Sequence, residues 1–166
     1  MNSLLEQYCK IGDLDKIKEL IENGTDIHVN NNEAILYASK CGHLEVVKYL
    51  IKEGADIHAR NDNSLRISAY NGHLDVVKYL IEEGADIHAE NDETVRIASA
   101  KGHLDVVKYL VEEGADIHSN DECALQSSTC PLCKNDEFYL IDSDDDDDFD
   151  LELLLSYKKN LYIHKY

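Results

Sequence analysis

The stretch GHLDVVKYLIEEGADIH, residues 72–88, decides the fold. It returns with one change as residues 102–118 and with two changes as residues 42–58. Residues 12–28, GDLDKIKELIENGTDIH, form a more distant copy, and all four copies begin 30 residues apart. A fixed period of this size indicates a solenoid, in which each unit packs mainly on its neighbours.

The composition narrows the possible partners and compartments. The 166 residues include 16 Lys/Arg and 34 Asp/Glu, a net charge of −18, which argues against nucleic acid and anionic membranes as partners. The N-terminus, MNSLLEQYCKIGD, shows no secretion signal, and no apolar run reaches the ~18 residues of a membrane span. Five cysteines without a common spacing favour a reduced chain. We therefore expect a soluble, intracellular monomer.

Each unit contains an amphipathic helix, such as residues 74–83. At 100° per residue its apolar side chains cover an arc of roughly 200°, about twice what a lone surface helix needs. We therefore expect neighbours on two sides of this helix. Gly84 suits the left-handed position after the helix end, and Asp86 is placed to accept hydrogen bonds from backbone amides of the turn.

A shorter helix precedes the amphipathic one, in residues 62–71, DNSLRISAYN. Asp62 is predicted to be its N-cap, and Asn32 and Asp92 stand at the same place in neighbouring units. An extended link, residues 87–91, is predicted to lead into the next unit. The fold class is therefore all-α, a stack of helix–turn–helix units.

The pattern G-H-x-x-V-V-x-x-L-x-x-x-G-A-D, at residues 42–56, 72–86 and 102–116, resembles the ankyrin repeat. The family's threonine-proline start is eroded to SLRISAY in residues 64–70 and TVRIASA in residues 94–100. The period of 30 instead of about 33 looks most like the ankyrin arrays of giant DNA viruses of amoebae. The resemblance implies an ankyrin solenoid with shortened hairpins that binds proteins without catalysing a reaction.

The resemblance covers residues 1–129 and leaves 130–166 as a divergent acidic tail. In the first copy Lys16 and Glu19 narrow the apolar arc, as expected of a terminal unit without a preceding neighbour. The predicted parts of the array are an N-terminal cap (1–29), three repeats (30–59, 60–89 and 90–119) and a partial fifth repeat (120–129).

The tail contains five consecutive aspartates, residues 144–148, which predict a solvated and disordered link. The apolar segment that follows, residues 151–163, is predicted to fold back as a helix over the open end of the array. Some viral ankyrin proteins deliver captured targets to a ubiquitin ligase through such a segment. A viral adaptor linking a captured protein to a host ubiquitin ligase is therefore an alternative function.

Seven of the eight histidines recur at two fixed positions of the repeat, which indicates a structural task, turn hydrogen bonding, rather than metal binding. They are His43, His73 and His103 at one position, and His28, His58, His88 and His118 at the other. No nucleophile elbow, glycine-rich phosphate loop or H-E-x-x-H helix occurs in the sequence. We therefore predict a protein that is not an enzyme and has no cofactor.

Cys130 and Cys133 have the C-x-x-C spacing of half a zinc site. The other half would be His118 and Cys123, whose spacing is irregular, so free thiols are the preferred interpretation. A zinc-stabilised terminal module stays an alternative.

Positions that differ between the copies mark a candidate binding surface, because a position that packs within the stack keeps the same residue in every copy. They lie at the hairpin and at the end of the first helix, places that line the concave partner-binding face in the ankyrin family. The candidates are Asn30, Glu33, Lys40, Arg60, Asn63, Tyr70, Asn71, Glu90, Glu93 and Lys101. Tyr70 ranks first because tyrosine is enriched at interface hot spots. Arg66 and Arg96 are expected to form intramolecular ion pairs.

The sequence therefore predicts a scaffold that binds another protein. The net charge favours a partner with a basic patch, and the resemblance to viral arrays implies a host protein.

Overall fold

The computed structural model describes residues 4–116, which form eight α-helices and no strand within that range. The helices are α1 (Leu4–Ile11), α2 (Leu14–Glu22), α3 (Val29–Lys40), α4 (Leu44–Lys52), α5 (Ala59–Tyr70), α6 (Leu74–Glu82), α7 (Ala89–Lys101) and α8 (Leu104–Glu112). The odd-numbered helices pack on one another in a row, and each packs against the even-numbered helix that follows it. This arrangement confirms the predicted all-α stack of helix pairs.

The stack has two layers, which we name by the helix that each contributes. The first-helix layer comprises residues 4–11, 29–41, 59–71 and 89–101. The second-helix layer comprises residues 12–28, 42–58, 72–88 and 102–116.

The core runs between the layers and is built from the same positions in each unit. In α6 the buried residues are Val76, Val77 and Leu80, and α6 packs against α5, α4 and α8. The predicted two-sided packing of this helix is therefore confirmed. Full burial of such side chains contributes about 1.5–3 kcal/mol each.

The first unit differs from the others on one flank of its second helix. In α2 the one buried residue is Ile17, and the Lys16 ammonium lies 2.7 Å from the Glu19 carboxylate in an exposed ion pair. Polar side chains therefore occupy the flank that is apolar in the later copies.

A ladder of lysines and tyrosines connects the second helices. The ammonium of Lys78 lies 5.3 Å from the centre of the Tyr109 ring, and Lys48 stands in the same way 5.9 Å from Tyr79. Cation–π contacts at exposed sites contribute about 0.5–1 kcal/mol. The ladder adds one weak contact at each junction between units.

The link between units is a turn, so the predicted extended conformation of residues 87–91 is wrong: His88 has φ −91° and ψ 2°, and Glu90 and Asn91 are left-handed. Three consecutive residues near the start of α3, α5 and α7 have φ between 54° and 62°. They are Asn30, Asn31, Asn32, Arg60, Asn61, Asp62, Glu90, Asn91 and Asp92. This region costs most residues about 1–2 kcal/mol, and Asn and Asp tolerate it best. The turn places its third residue beside the turn that ends the same repeat.

The prediction that Asp62 is an N-cap is wrong as well. Its φ of 55° is not that of a cap, and its buried Oδ1 accepts a hydrogen bond from the backbone amide of Asp86 at 3.0 Å. The same oxygen lies 2.9 Å from Nδ1 of His58. Asn32 and Asp92 make the equivalent bonds in their units. These side chains therefore connect the histidine that ends the preceding repeat with the turn that ends their own repeat, instead of capping helices.

The predictions for the turn after the second helix are confirmed. Gly84 has a φ of 101°, which favours glycine, and its amide bonds the carbonyl of Ile81. The Asp86 Oδ1 accepts a hydrogen bond from the backbone amide of His88 at 2.9 Å.

Candidate functional site: the exposed face of the first helices

One face of the first-helix layer points away from the second helices. Residues three and four apart in a helix share a face, so Asn63, Arg66, Ile67 and Tyr70 lie together on α5. Asn63, Arg66 and Ile67 are half-buried, and Tyr70 at the end of the row is 42% exposed. We call the surface formed by these positions in all units, together with the exposed residue that follows at the helix end, such as Lys101, the first-helix face.

The two arginines of this face, Arg66 and Arg96, differ in the contacts that they make. Nη1 of Arg66 lies 3.0 Å from Oε2 of Glu93, and its Nη2 donates a hydrogen bond to Oδ1 of Asn63 at 2.9 Å. The predicted intramolecular ion pair of Arg66 is thus confirmed. Arg96 differs, because its buried Nε has no hydrogen-bond partner within residues 4–116.

The candidates at the hairpin also form contacts between units. Arg60 donates a hydrogen bond to the backbone oxygen of Asn30 at 2.6 Å and lies 3.4 Å from the carboxylate of Glu33. Glu90 accepts a hydrogen bond from the side chain of Asn61 at 2.5 Å. Asn30 donates to the buried Glu6 at 2.8 Å. A partner at the hairpin would therefore meet side chains that are already paired.

The candidates at the ends of the first helices are more accessible. The Lys101 ammonium lies 4.3 Å from the centre of the Tyr70 ring, and its hydrogen bond and charge lower the pKa of the Tyr70 phenol. Lys40 is exposed, and within residues 4–116 its ammonium makes no hydrogen bond or ion pair. Asn71 is turned inward, donating to the backbone oxygen of Ile67 at 2.7 Å.

The repeated histidines hold neighbouring units together. Nε2 of His73 lies 2.9 Å from the backbone oxygen of Lys40, and Nε2 of His103 lies 2.9 Å from that of Tyr70. A carbonyl oxygen only accepts, so each Nε2 donates. The predicted structural role is confirmed for these residues, although the bond reaches 33 positions back rather than staying within the turn.

Apolar residues on the first-helix face were not among the predicted site residues. Leu36, Ile67 and Ile97 are half-buried and lie outside the hydrophobic core. The available signal was their spacing: Ile67 stands three residues before the exposed Tyr70, on the same side of α5. Ile67 and Ile97, which share one repeat position, therefore place apolar surface on the first-helix face beside the helix ends.

The two layers differ in charge. The second-helix layer holds 6 Lys/Arg against 16 Asp/Glu, a net −10. The first-helix layer holds 6 of each and is neutral, and three of its acidic residues, Glu6, Asp62 and Asp92, are buried. The described part of the acidic excess therefore lies away from the first-helix face.

The two described cysteines have different environments. Burial, with a smaller effect of the Glu6 charge, raises the pKa of Cys9 to about 12, whereas Cys41 is exposed beside Lys40. The zinc ligands considered above, His118, Cys123, Cys130 and Cys133, lie outside the described residues, as do the predicted partial fifth repeat and the predicted link and fold-back helix of the tail. Residues 4–116 contain no cluster of three or more His, Cys, Asp or Glu side chains that could hold a metal, and no helix long and apolar enough to cross a membrane.

Comparison with known families agrees with the geometry. A family model described as ankyrin repeats, in three copies, matches residues 5–91 and 62–121. The matched residues make up more than half of the chain. A comparison with curated proteins finds no match.

Proposed function

Because the chain belongs to the ankyrin-repeat family, whose repeats are protein-interaction modules, we propose that it is a non-enzymatic scaffold that binds a partner protein through the first-helix face. The observation that carries this proposal is the separation of variable and constant positions. Tyr70 and Lys101 differ from their counterparts in other units and are exposed, whereas the second helices repeat almost unchanged.

The accessible end of the first-helix face suits a protein partner better than the hairpin does. The large ring of Tyr70 already contacts the Lys101 ammonium before a partner binds. These two side chains therefore lose little conformational freedom on binding. The hairpin candidates Arg60 and Glu33 would first have to break contacts between units. We therefore assign the centre of the interface to Tyr70, Lys101 and Lys40.

The charge of the partner depends on which layer it meets. The expected basic patch follows from the net charge of −18, and the described excess lies in the second-helix layer. A partner that grips the first helices meets Lys40, Lys101 and Arg96 instead. The resemblance to viral arrays supports a host protein as the partner, and no described residue favours a ubiquitin-ligase adaptor or a zinc module.

Affinity purification with single variants tests this interface. Tyr70→Ala should reduce capture of the specific partner about tenfold or more, the usual loss at a hot spot. The variant should fold normally, because the next unit already carries Ala100 at this position. Glu83→Ala, on the exposed side of the second-helix layer, is the matched control and should leave capture unchanged. Equal capture by the Tyr70→Ala protein and the unmodified chain would contradict the proposed face.

A further inference from the structure

The ends of the first helices form a row of lysines. Lys10, Lys40 and Tyr70 hold the same repeat position in α1, α3 and α5, and in α7 Lys101 stands one residue later. The last four residues of these helices, 8–11, 37–40, 67–70 and 98–101, include three lysines and no Asp or Glu. We call Lys10, Lys40, Tyr70 and Lys101 the helix-end row. This row is cationic although the protein carries a net charge of −18.

The helix-end row offers hydrogen-bond donors to a partner. The backbone oxygens of Lys10, Lys40 and Tyr70 each already accept a hydrogen bond from Nε2 of a repeated histidine in the following unit, at 2.9–3.0 Å. The side chains that face a partner are ammonium groups, which only donate, and the Tyr70 hydroxyl. An ionised carboxylate only accepts, so acidic side chains complement this row.

Aromatic rings accompany the ammonium groups of the row. The Lys10 ammonium lies 3.8 Å from the centre of a tyrosine ring in α3, and that of Lys101 lies 4.3 Å from the centre of the Tyr70 ring. The hydrogen bond and charge of Lys101, and more weakly the charge of Lys40, lower the pKa of the Tyr70 phenol, so both lysines act on this ring. The half-buried Ile67 lies one helical turn before Tyr70. The position of Tyr70 in the row therefore suits an apolar side chain.

The spacing of the row fits an extended peptide. Successive first helices pack on one another, and packed helices lie about 8–10 Å apart. A polyproline II segment has three residues per turn and rises about 3.1 Å per residue, so every third side chain returns to the same side after about 9 Å. Side chains three residues apart in such a segment can therefore meet successive helices of the row.

We propose that the partner presents an extended acidic segment to the helix-end row, with carboxylates at Lys10, Lys40 and Lys101 and an apolar side chain at Tyr70, each about three residues from the next. The proposal rests on the proposed function, because it describes the part of the partner that meets the same interface. The charge of this contact is opposite to the basic patch that the net charge predicts.

The acidic second-helix layer is compatible with this contact. Packed helices lie about 10 Å apart, and the Debye length at physiological ionic strength is about 8 Å. The carboxylates of the second-helix layer are therefore largely screened from a short segment on the row, whereas the ammonium groups contact it directly. A long polyanion such as nucleic acid extends beyond the row and is repelled by the net charge of the whole chain.

Fluorescence anisotropy of labelled peptides with the full chain tests the contact. The probe is a fluorescein-labelled peptide with aspartate, aspartate, leucine and aspartate at every third position, separated by serine and proline. One control peptide carries asparagine in place of aspartate, and another has the composition of the probe with its three aspartates consecutive. We expect the probe to bind at least about fivefold more tightly than either control in low salt. A control that binds as tightly as the probe would overturn the proposal.

Matched charge reversals locate the contact. Lys40→Glu with Lys101→Glu should weaken binding of the probe about tenfold. Lys48→Glu with Lys78→Glu makes the same change of net charge in the second-helix layer and should weaken it less than about twofold. Circular dichroism melts check that each variant is folded. Equal weakening by both pairs would overturn the proposal, as would tighter binding of a fluorescein-labelled oligothymidine that the first pair abolishes.

Partner capture separates this proposal from the proposed function. Lys40→Glu with Lys101→Glu should reduce capture of the partner about tenfold, as Tyr70→Ala does. Capture that depends on Tyr70 but is unchanged or increased by the two reversals overturns the acidic segment and leaves the interface standing. Selective, lysine-dependent binding of the probe together with no effect of Tyr70→Ala on capture overturns the proposed function instead, and the preference of the row for acidic segments stands.

Discussion

The two helical layers are built under different constraints. A second helix such as α6, with its buried Val76 and Val77, packs against its own unit and both neighbours, so each copy meets the same packing requirement with the same side chains. First-helix residues such as Tyr70 and Lys101 are exposed on the first-helix face and differ from unit to unit. Repetition therefore marks structural tasks in this protein, and variation marks the surface that is available for binding.

The histidines show how strongly the repeated positions are constrained. A Cβ placed on Gly72 would lie 2.5 Å from Nδ1 of His103, the ring that bonds the Tyr70 carbonyl. The absence of a side chain at Gly72 thus leaves room for the His103 ring, which links two units.

The largest expected effect is that of Gly72→Ala, which we predict to lower the free energy of unfolding by about 2–4 kcal/mol. About 1 kcal/mol or more comes from a side chain at a φ of 75°, and the overlap with His103 adds roughly 1–3 kcal/mol. Urea denaturation of the two proteins measures the difference.

Gly84→Ala is the matched control for the backbone contribution. Its φ of 101° is at least as unfavourable for a side chain, and no described atom lies within 4 Å of the added Cβ. We expect a loss of about 1–2 kcal/mol. Equal losses at both glycines would show that the ring contact is unimportant and would weaken the contrast between the layers.

The next effect concerns the side chain that joins units at the left-handed turn. Asp62→Ala removes the acceptor for the Asp86 amide and the contact with His58, which should cost about 1–3 kcal/mol. Asp62→Asn should cost less than about 0.5 kcal/mol, because Asn32 makes the same bond to Asp56 in its own unit. If Asn were as harmful as Ala in urea denaturation, the charge of Asp62 rather than its oxygen would matter.

The sequence predicts the second-helix layer well because its contacts follow from local periodicity. The apolar arc, Gly84 and Asp86 each act within one helix or turn, where 3.6-residue geometry and φ preferences suffice. The role of Asp62 was missed because its bond reaches 24 residues ahead, and the short-range N-cap pattern fits the same residue type. Only the stacked structure distinguishes these two uses.

The sequence predicted where the first-helix face lies but not which charges and apolar side chains it exposes. Variation between copies points to Tyr70 and Lys101. The total charge, however, does not reveal that the first-helix layer is neutral and that the second-helix layer carries the described acidic excess. Whether Arg60 is free or paired depends on its distance from Glu33, which a sequence does not contain. Periodicity locates a face, whereas pairing across units decides which of its charges are available.

The smallest expected effect is a difference between tyrosines of the two layers, measured by NMR titration of their ring carbons. Partial burial, reinforced by Glu83 at Tyr79 and by Glu113 at Tyr109, raises the pKa of both phenols in the second-helix layer. The hydrogen bond and charge of Lys101 lower that of Tyr70 in the first-helix layer. An ordinary tyrosine has a pKa of about 10. Tyr70 should therefore lose its proton at a lower pH than an ordinary tyrosine, and Tyr79 and Tyr109 should lose theirs at a higher pH.

Lys101→Gln should return the Tyr70 pKa towards the ordinary value, since the positive charge that favours the phenolate is gone. Lys78→Gln is the control, because that lysine faces Tyr109 instead. A Tyr70 that titrates normally in the unmodified chain would mean that Lys101 is not held at its ring in solution. The cation would then be lost from the centre of the proposed interface, and the difference between the layers would reduce to sequence variation alone.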